Sequence, residues 1–247
     1  PIGTGNDFAR THGINPRDFE SIIEVLKNGV VRSCPAIRVI SNPAPKTKYY
    51  PRIYQREFDG ETPNGKIVRW GFIEADCGIT STVSHAKLRR GKWLQGTMKY
   101  TYLGLTEVLR WKSRKVRIQI DENDPQVVEL TTLALTTGEV FGGGYRVNPN
   151  HNPSKKGVSM ILAHGMSRLQ MLRLMGPLKK GNHIGKWGIT QQLIQRVTID
   201  MLPDKKQITP NTWIQVDGEP CMVGSAIFEY HPNQINVLGS KKCSWDN

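Results

Sequence analysis

Two short strings near opposite ends of the chain carry residue types suited to holding a phosphate and moving a proton. The first is Gly3-Thr-Gly-Asn-Asp7. Glycines at 3 and 5 reach backbone angles closed to other residues, so successive N–H groups can converge on an anion. Asn6 is an N-cap candidate for a helix opening at Asp7, and a helix N-terminus adds partial positive charge. Together these residues make a phosphate cradle, or equally a capped turn that binds nothing. Asp7 falls in the first helical turn, where the dipole stabilises a carboxylate and Arg10 is spaced to pair with it. The second string is Trp213-Ile-Gln-Val-Asp217-Gly-Glu219-Pro. Asp-Gly between two strand-like runs is a hairpin signal, because both residues tolerate positive φ. Such a turn displays Asp217 and Glu219 as candidates for acid–base work.

Weaker signals lie between them. Phe141-Gly-Gly-Gly-Tyr145 permits a bulge or a close backbone approach. His183 stands alone and reads as a loop or packing residue. Over 166–175, Met166, Leu169, Met171, Leu172, Leu174 and Met175 alternate with Arg168 and Arg173. That pattern fits a helix packed in the core, or one lying at an apolar interface. The four cysteines, Cys34, Cys77, Cys221 and Cys243, form no C-x-x-C pair. A zinc ribbon is thereby disfavoured, and a reducing, cytosolic setting is expected.

The elements that must position these residues read as follows. Apolar spacing predicts a helix over 15–29, with Asn15 as cap, Pro16 at its first position and Gly29 as its stop. Phe19, Ile22, Ile23 and Leu26 share one face of it. A short strand over 36–40 then closes an α/β unit. Beyond a Pro-rich loop at 42–48, strands are expected over 52–58, 67–75, 116–120, 127–136, 158–163, 195–201, 213–216 and 225–230. Helices interrupt at 97–111 and at 166–175, the latter stopped by Gly176-Pro177. The fold class is therefore α+β: the end of an α/β unit over 1–41, a larger antiparallel β-sandwich with peripheral helices over 42–239, and a polar tail over 240–247.

Charge narrows the partners. Lys+Arg number 34 against 21 Asp+Glu, formally +13, which draws the protein toward polyanions. Basic clusters at 87–93, 111–115 and 178–187 each carry a Trp, a residue suited to a membrane interface. An anionic membrane surface is the favoured peripheral partner. Nucleic acid is disfavoured, since the aromatic-studded strands of RNA-binding sheets are missing. No apolar run reaches the length of a transmembrane helix.

The full string Gly3-Thr-Gly-Asn-Asp-Phe-Ala-Arg10 resembles the signature of the diacylglycerol kinase family of lipid kinases, relatives of sphingosine and ceramide kinases. Its Asp7-Phe-Ala-Arg10 ending leans toward the diacylglycerol branch. Asp217-Gly-Glu219-Pro220 is similar to the family's Asp-Gly-Glu motif, and the glycine triplet and Gly181-Asn-His183 also have counterparts in it. The resemblance implies a nucleotide domain over 1–41, a lipid-substrate domain over 42–239, and an active cleft between them. It implies transfer of the γ-phosphate of ATP, with Mg²⁺, to a lipid hydroxyl, above all diacylglycerol to phosphatidic acid. Gly3, Thr4, Gly5 and Asn6 would line the phosphates with Asp7 beside them. Glu219 would be the general base, and Asp217 would support the turn or a metal-bound water. A carboxylate is too weak to deprotonate an alcohol outright, but a loose phosphoryl-transfer transition state needs little nucleophilic push. The alternatives are an inactive lipid-binding module and a sphingoid or ceramide kinase.

Three departures qualify the likeness. The family's Gly-Gly-Asp-Gly-Thr motif, which precedes the signature, does not occur, so the chain is expected to be the later part of a longer protein. Pro35 stands where an aspartate is common, so an inter-domain carboxylate contact is not expected. Lys155-Lys-Gly-Val-Ser-Met160 offers no carboxylate where bacterial members hold a structural metal.

Overall fold

A computed structural model describes residues 6–15, 17–45, 65–91, 93–94, 96–151, 156–203 and 212–241. Strand alternation sets its layers. β4 (Arg114–Ile120) and β8 (Arg196–Met201) bury every second residue, whereas β3 (Glu74–Gly78) and β6 (Val158–His164) are covered on both faces. All pairings are antiparallel. From β2 (Ile67–Gly71) the order runs through β1 (Val30–Pro43), β10 (Glu219–Gly239), β8, β4, β5 (Gln126–Thr136) and β3 to β9 (Trp213–Val216). β9 pairs back onto β10, so the strands from β10 to β9 close a ring. β6 adds to β5, and β7 (Ile189–Ile194) adds to β6. The core inside this β-sandwich includes Ile37, Val116, Leu133, Met160, Ile199 and Phe228.

Helices cover one outer face. α3 (Ile79–Arg89) leaves β3 through Gly78, which has φ +108° and whose hypothetical Cβ would lie 2.4 Å from the Thr131 carbonyl oxygen. Only glycine fits that crossing. α4 (Gly96–Arg110) and α5 (Arg168–Lys180) lie over β5–β6 and form a second apolar cluster with Val108, Ala134, Ile161, Ala163, Met166 and Met171. The class is α+β, as composition and spacing predict.

Several boundaries differ from expectation. The strand expected over 36–40 is the middle of the 14-residue β1, which pairs along its length with β10. The expected division after position 41 falls inside this strand, and the first strand therefore joins the sandwich sheet. Pro35, which lacks an N–H, sits at the register shift between Cys34 and Ala36, where it breaks no ladder bond. α1 (Asp7–Thr11) begins where expected, but Asn6 adopts a left-handed conformation and makes no side-chain cap bond. α2 (Phe19–Asn28) is capped by Asp18, which accepts from Ser21 N–H, rather than by Asn15. Of the four apolar residues expected to share one face, Ile22 and Ile23 are half-buried while Phe19 and Leu26 are exposed, and Val25 is the buried residue. α5 runs through Gly176-Pro177 and stops at the left-handed Gly181. Pro177 is tolerated there, because it removes one helix hydrogen bond within a helix held by Met171 and its capping box. The segment expected over 67–75 is two strands, β2 and β3. The strand expected over 52–58 lies outside the described residues.

Candidate active site

One large cavity, about 820 Å³, connects the two ends of the chain. Asn6 and Asp7 line it, and so do Asp217, Gly218 and Glu219. Its remaining wall is largely apolar: Val108 from α4, Ala134 and Ile161 from the sheet, and Met171, Leu174 and Leu178 from α5. Long-range pairing brings the ends together. The Ser240 N–H donates to the His12 carbonyl oxygen at 3.0 Å, and Arg32 Nη2 donates to the Ser240 carbonyl oxygen at 2.9 Å. The first bond fastens the segment after α1 to the residue that follows β10, and the second holds that residue to β1. Gly3, Thr4 and Gly5 lie outside the described residues.

The carboxylates on the cavity differ in their work. Asp217 caps a turn: its carboxylate accepts the N–H groups of Phe72 and Ile73 at 2.8 Å and of Glu74 at 3.0 Å. Its φ of 48° and that of Gly218, 82°, make the tight hairpin that the Asp-Gly pair predicts. With its oxygens engaged by the backbone, Asp217 is the structural member of the pair. Glu219 follows on β10 and is half-buried; burial raises its carboxyl above the usual range, and Lys87 opposes that rise. Lys87 Nζ, reaching in from α3, donates to the Gly218 carbonyl at 3.4 Å and stands 5.8 Å from the Tyr100 ring centre.

Behind the turn lies a buried acidic layer that the sequence reading missed. Glu74 and Asp76 lie on β3, whose register sets Asp76 opposite Gln215 of β9. Gln215 Nε2 donates to Asp76 and to Glu74, and Ser81 Oγ donates to Asp76 at 2.6 Å. Burial drives the Glu74 carboxyl well up, with Asp76 and Asp217 adding to the push. Burial likewise raises Asp76 to about 6, against the pull of its bonds from Ser81 and Gln215. The signal that could have found this layer is two acids in an otherwise apolar strand, Ile73-Glu-Ala-Asp-Cys77. Lys87 was legible only as one charge in a basic cluster.

Asp7 is held by the glycine triplet: Gly143 N–H donates to its Oδ2 at 2.9 Å, while Oδ1 is buried without a partner. Gly142, Gly143 and Gly144 all have positive φ, bulging between the bridged Phe141 and Tyr145. His183 is buried against the Val147 carbonyl oxygen, 3.0 Å from Nε2, and burial lowers its pKa, as fits a packing residue. Among the described residues no group of three or more His, Cys, Asp or Glu side chains is placed to hold a metal ion.

The chain is similar to known proteins in sequence and in fold. The model of the YegS C-terminal NAD kinase beta sandwich-like domain matches residues 75–239. A curated diacylglycerol kinase of Mycobacterium tuberculosis (strain ATCC 25618 / H37Rv) is 26% identical over 184 residues, covering 74% of this chain and 52% of that protein. The chain thus spans about half the length of the curated relatives it matches. Two solved structures from Bacillus anthracis str. Sterne share the fold. One is of a candidate diacylglycerol kinase (TM-score 0.64, 16% identity, 98% of this chain and 68% of that one). The other is of a diacylglycerol kinase (TM-score 0.61, 12% identity, 98% and 66%). With more than half of its residues inside the matched domain, the chain belongs to the YegS C-terminal domain family and is a diacylglycerol kinase-like member of it.

Proposed function

We propose that this chain forms the lipid-binding part of a lipid kinase that transfers the γ-phosphoryl group of MgATP to a lipid hydroxyl, with diacylglycerol the favoured acceptor. The observation that carries the reading is the single cavity shared by Asp7, Glu219 and a deep apolar wall. An acyl chain is stabilised by about 0.8 kcal/mol for each methylene buried there. The chain thereby anchors its polar head at the acidic end. Gly3, Thr4, Gly5 and Asn6 would face the nucleotide phosphates, with Asp7 beside them. Glu219 accepts a hydrogen bond from the lipid hydroxyl, orients it for in-line attack, and takes its proton as the new O–P bond forms and the bond to ADP breaks. Asp217 fixes the turn that presents Glu219.

The same reading includes docking on an anionic membrane. Along the outer side of α4, Met98, Tyr102, Leu105 and Leu109 are exposed, and Trp93 stacks edge-on against Tyr102. Arg110, Lys112 and Arg168 border that stripe near Trp111, whose carbonyl oxygen accepts from Arg168 Nε at 3.1 Å. The inner side of α4 supplies Tyr100, Gly104 and Val108 to the cavity. A lipid would therefore pass from bilayer to cavity along one helix. No helix among the described residues is long and apolar enough to cross a membrane.

The test is a phosphoryl-transfer assay on a lipid panel in mixed micelles, with MgATP and the full-length protein. Diacylglycerol, monoacylglycerol, a sphingoid base and ceramide are the acceptors. Glu219→Gln is expected to cut turnover about a hundredfold or more, the usual worth of a general base, with lipid binding retained. Lipid binding by wild type without transfer to any acceptor would favour the inactive lipid-binding module.

A further inference from the structure

The cavity contains one cationic side chain among its described lining residues, Lys87, and it faces carboxylates from several elements. Glu219 begins β10, Asp217 lies in the turn before it, Glu74 lies on β3, and Asp7 lies on α1. Further along the same layer Cys221 feels both Glu219 and Arg69, and His85 of α3 stacks on Trp213 at 3.8 Å. Among the described residues Lys87 makes no direct carboxylate bridge within 4 Å. Its Nζ is fixed instead by the Gly218 carbonyl at 3.4 Å and by the face of Tyr100 at 5.8 Å. Gly218 immediately precedes Glu219, so the tether grips the backbone that carries the carboxylate.

We propose that Lys87 is a positioning residue for Glu219: it ties the Asp217-Gly218 turn to α3 and keeps the Glu219 carboxylate ionised and aimed into the cavity. The inference rests on the lipid-kinase reading above but is separable from it. Geometry supplies the first half, since a cation bonded to the preceding carbonyl restricts the swing of the turn. Electrostatics supplies the second. Burial pushes the Glu219 carboxyl toward its protonated form, and a protonated Glu219 cannot accept the proton of a lipid hydroxyl. The positive charge on Lys87 opposes that push. Lys87 transfers no proton itself.

The test is the pH dependence of kcat and KM for lipid phosphorylation, comparing wild type with Lys87→Met and Lys87→Arg. Loss of the charge is expected to move the acid limb of the kcat profile upward by about one pH unit, so that on that limb the rate falls about tenfold. On the alkaline plateau, where Glu219 is ionised without help, the loosened turn alone should lower kcat by about threefold, less than on the acid limb, and KM for the lipid should change little. Lys87→Arg should restore the limb, since Arg keeps the charge. An unshifted limb in Lys87→Met overturns the inference, and so does an equal loss of rate at every pH. If Lys87→Met fails to fold, Lys87→Gln gives the same readout. Wild type unable to phosphorylate any lipid would instead refute the lipid-kinase reading, so the two failures are distinguishable.

Discussion

Asp217 and Glu219 are two residues apart, yet the chain assigns them opposite tasks. Asp217 spends its oxygens on three backbone N–H groups in the β2–β3 connection, and Glu219 keeps its carboxylate on the cavity. Removing Asp217 therefore tests structure before chemistry. Asp217→Ala is expected to lower unfolding free energy by about 2 kcal/mol, the scale of lost bonds to a charged acceptor, as read by urea denaturation. The Asp-Gly-Glu string made both residues legible, because turn chemistry is local. Glu74, Asp76 and Lys87 were not legible as a group. Their meaning comes from the pairing of Asp76 with Gln215 and from the bond between Lys87 and Gly218, contacts between residues more than a hundred positions apart.

At the scale of elements, the two-sided α4 is the informative one. Its inner residues belong to the cavity and its outer stripe to solvent, so its apolar pattern has no single buried face. That explains why length and composition located the helix, while its orientation became visible only in the fold. The helix carries a prediction about membranes. Replacing Met98, Leu105 and Leu109 together by Ser should reduce co-sedimentation with vesicles of anionic lipid about tenfold or more, since each apolar side chain contributes roughly 1.5–3 kcal/mol when fully buried. The thermal midpoint should hardly move, because these side chains already face water. Retention on oligonucleotides with no vesicle binding would count against the membrane partner. α3 was missed for a different reason. Thr80, Ser81, Thr82, Val83 and Ser84 are weak helix formers, and the Gly78 crossing and burial of Ser81, Ser84 and Ala86 hold them helical. The expected stop at Gly176-Pro177 failed because tertiary packing outweighed one missing hydrogen bond.

For the molecule as a whole, ring closure through β9 and β10 is what makes one site out of distant segments. Most strands were legible from alternation, though β7 was missed, and closure was not legible, since it depends on β10 being a 21-residue strand with register shifts. The closed fold also buries titratable groups, and their signs can be worked out. Burial lowers His12, His85 and His151 to about 4. Between pH 6.5 and about 4 the unfolded chain binds protons there that the folded one refuses, so stability falls as pH drops through that window. Asp76 acts oppositely. Raised to about 6, it holds a proton in the folded state that the unfolded chain has released above about pH 4, which offsets part of the loss on acidification. Asp76→Asn removes that offset, so between pH 6.5 and 4.5 its urea midpoint should lose ground relative to wild type as pH falls.

In the proposed function the apolar depth of the cavity holds the chain of the lipid whose head reaches Glu219. Gly104 tests it with little risk to the fold. It lies in α4 on the cavity wall, and a side chain there would point toward Met175, whose terminal methyl is 3.5 Å from the hypothetical Cβ. Leucine at this helical position also gains about 0.8 kcal/mol of helix propensity. The decisive measurement is kcat/KM for long-chain against short-chain diacylglycerol in wild type and Gly104→Leu. Excluding two or three methylenes should lower the long-chain value about tenfold and leave the short-chain value within about twofold. Equal values for both lipids in the two proteins would contradict the account.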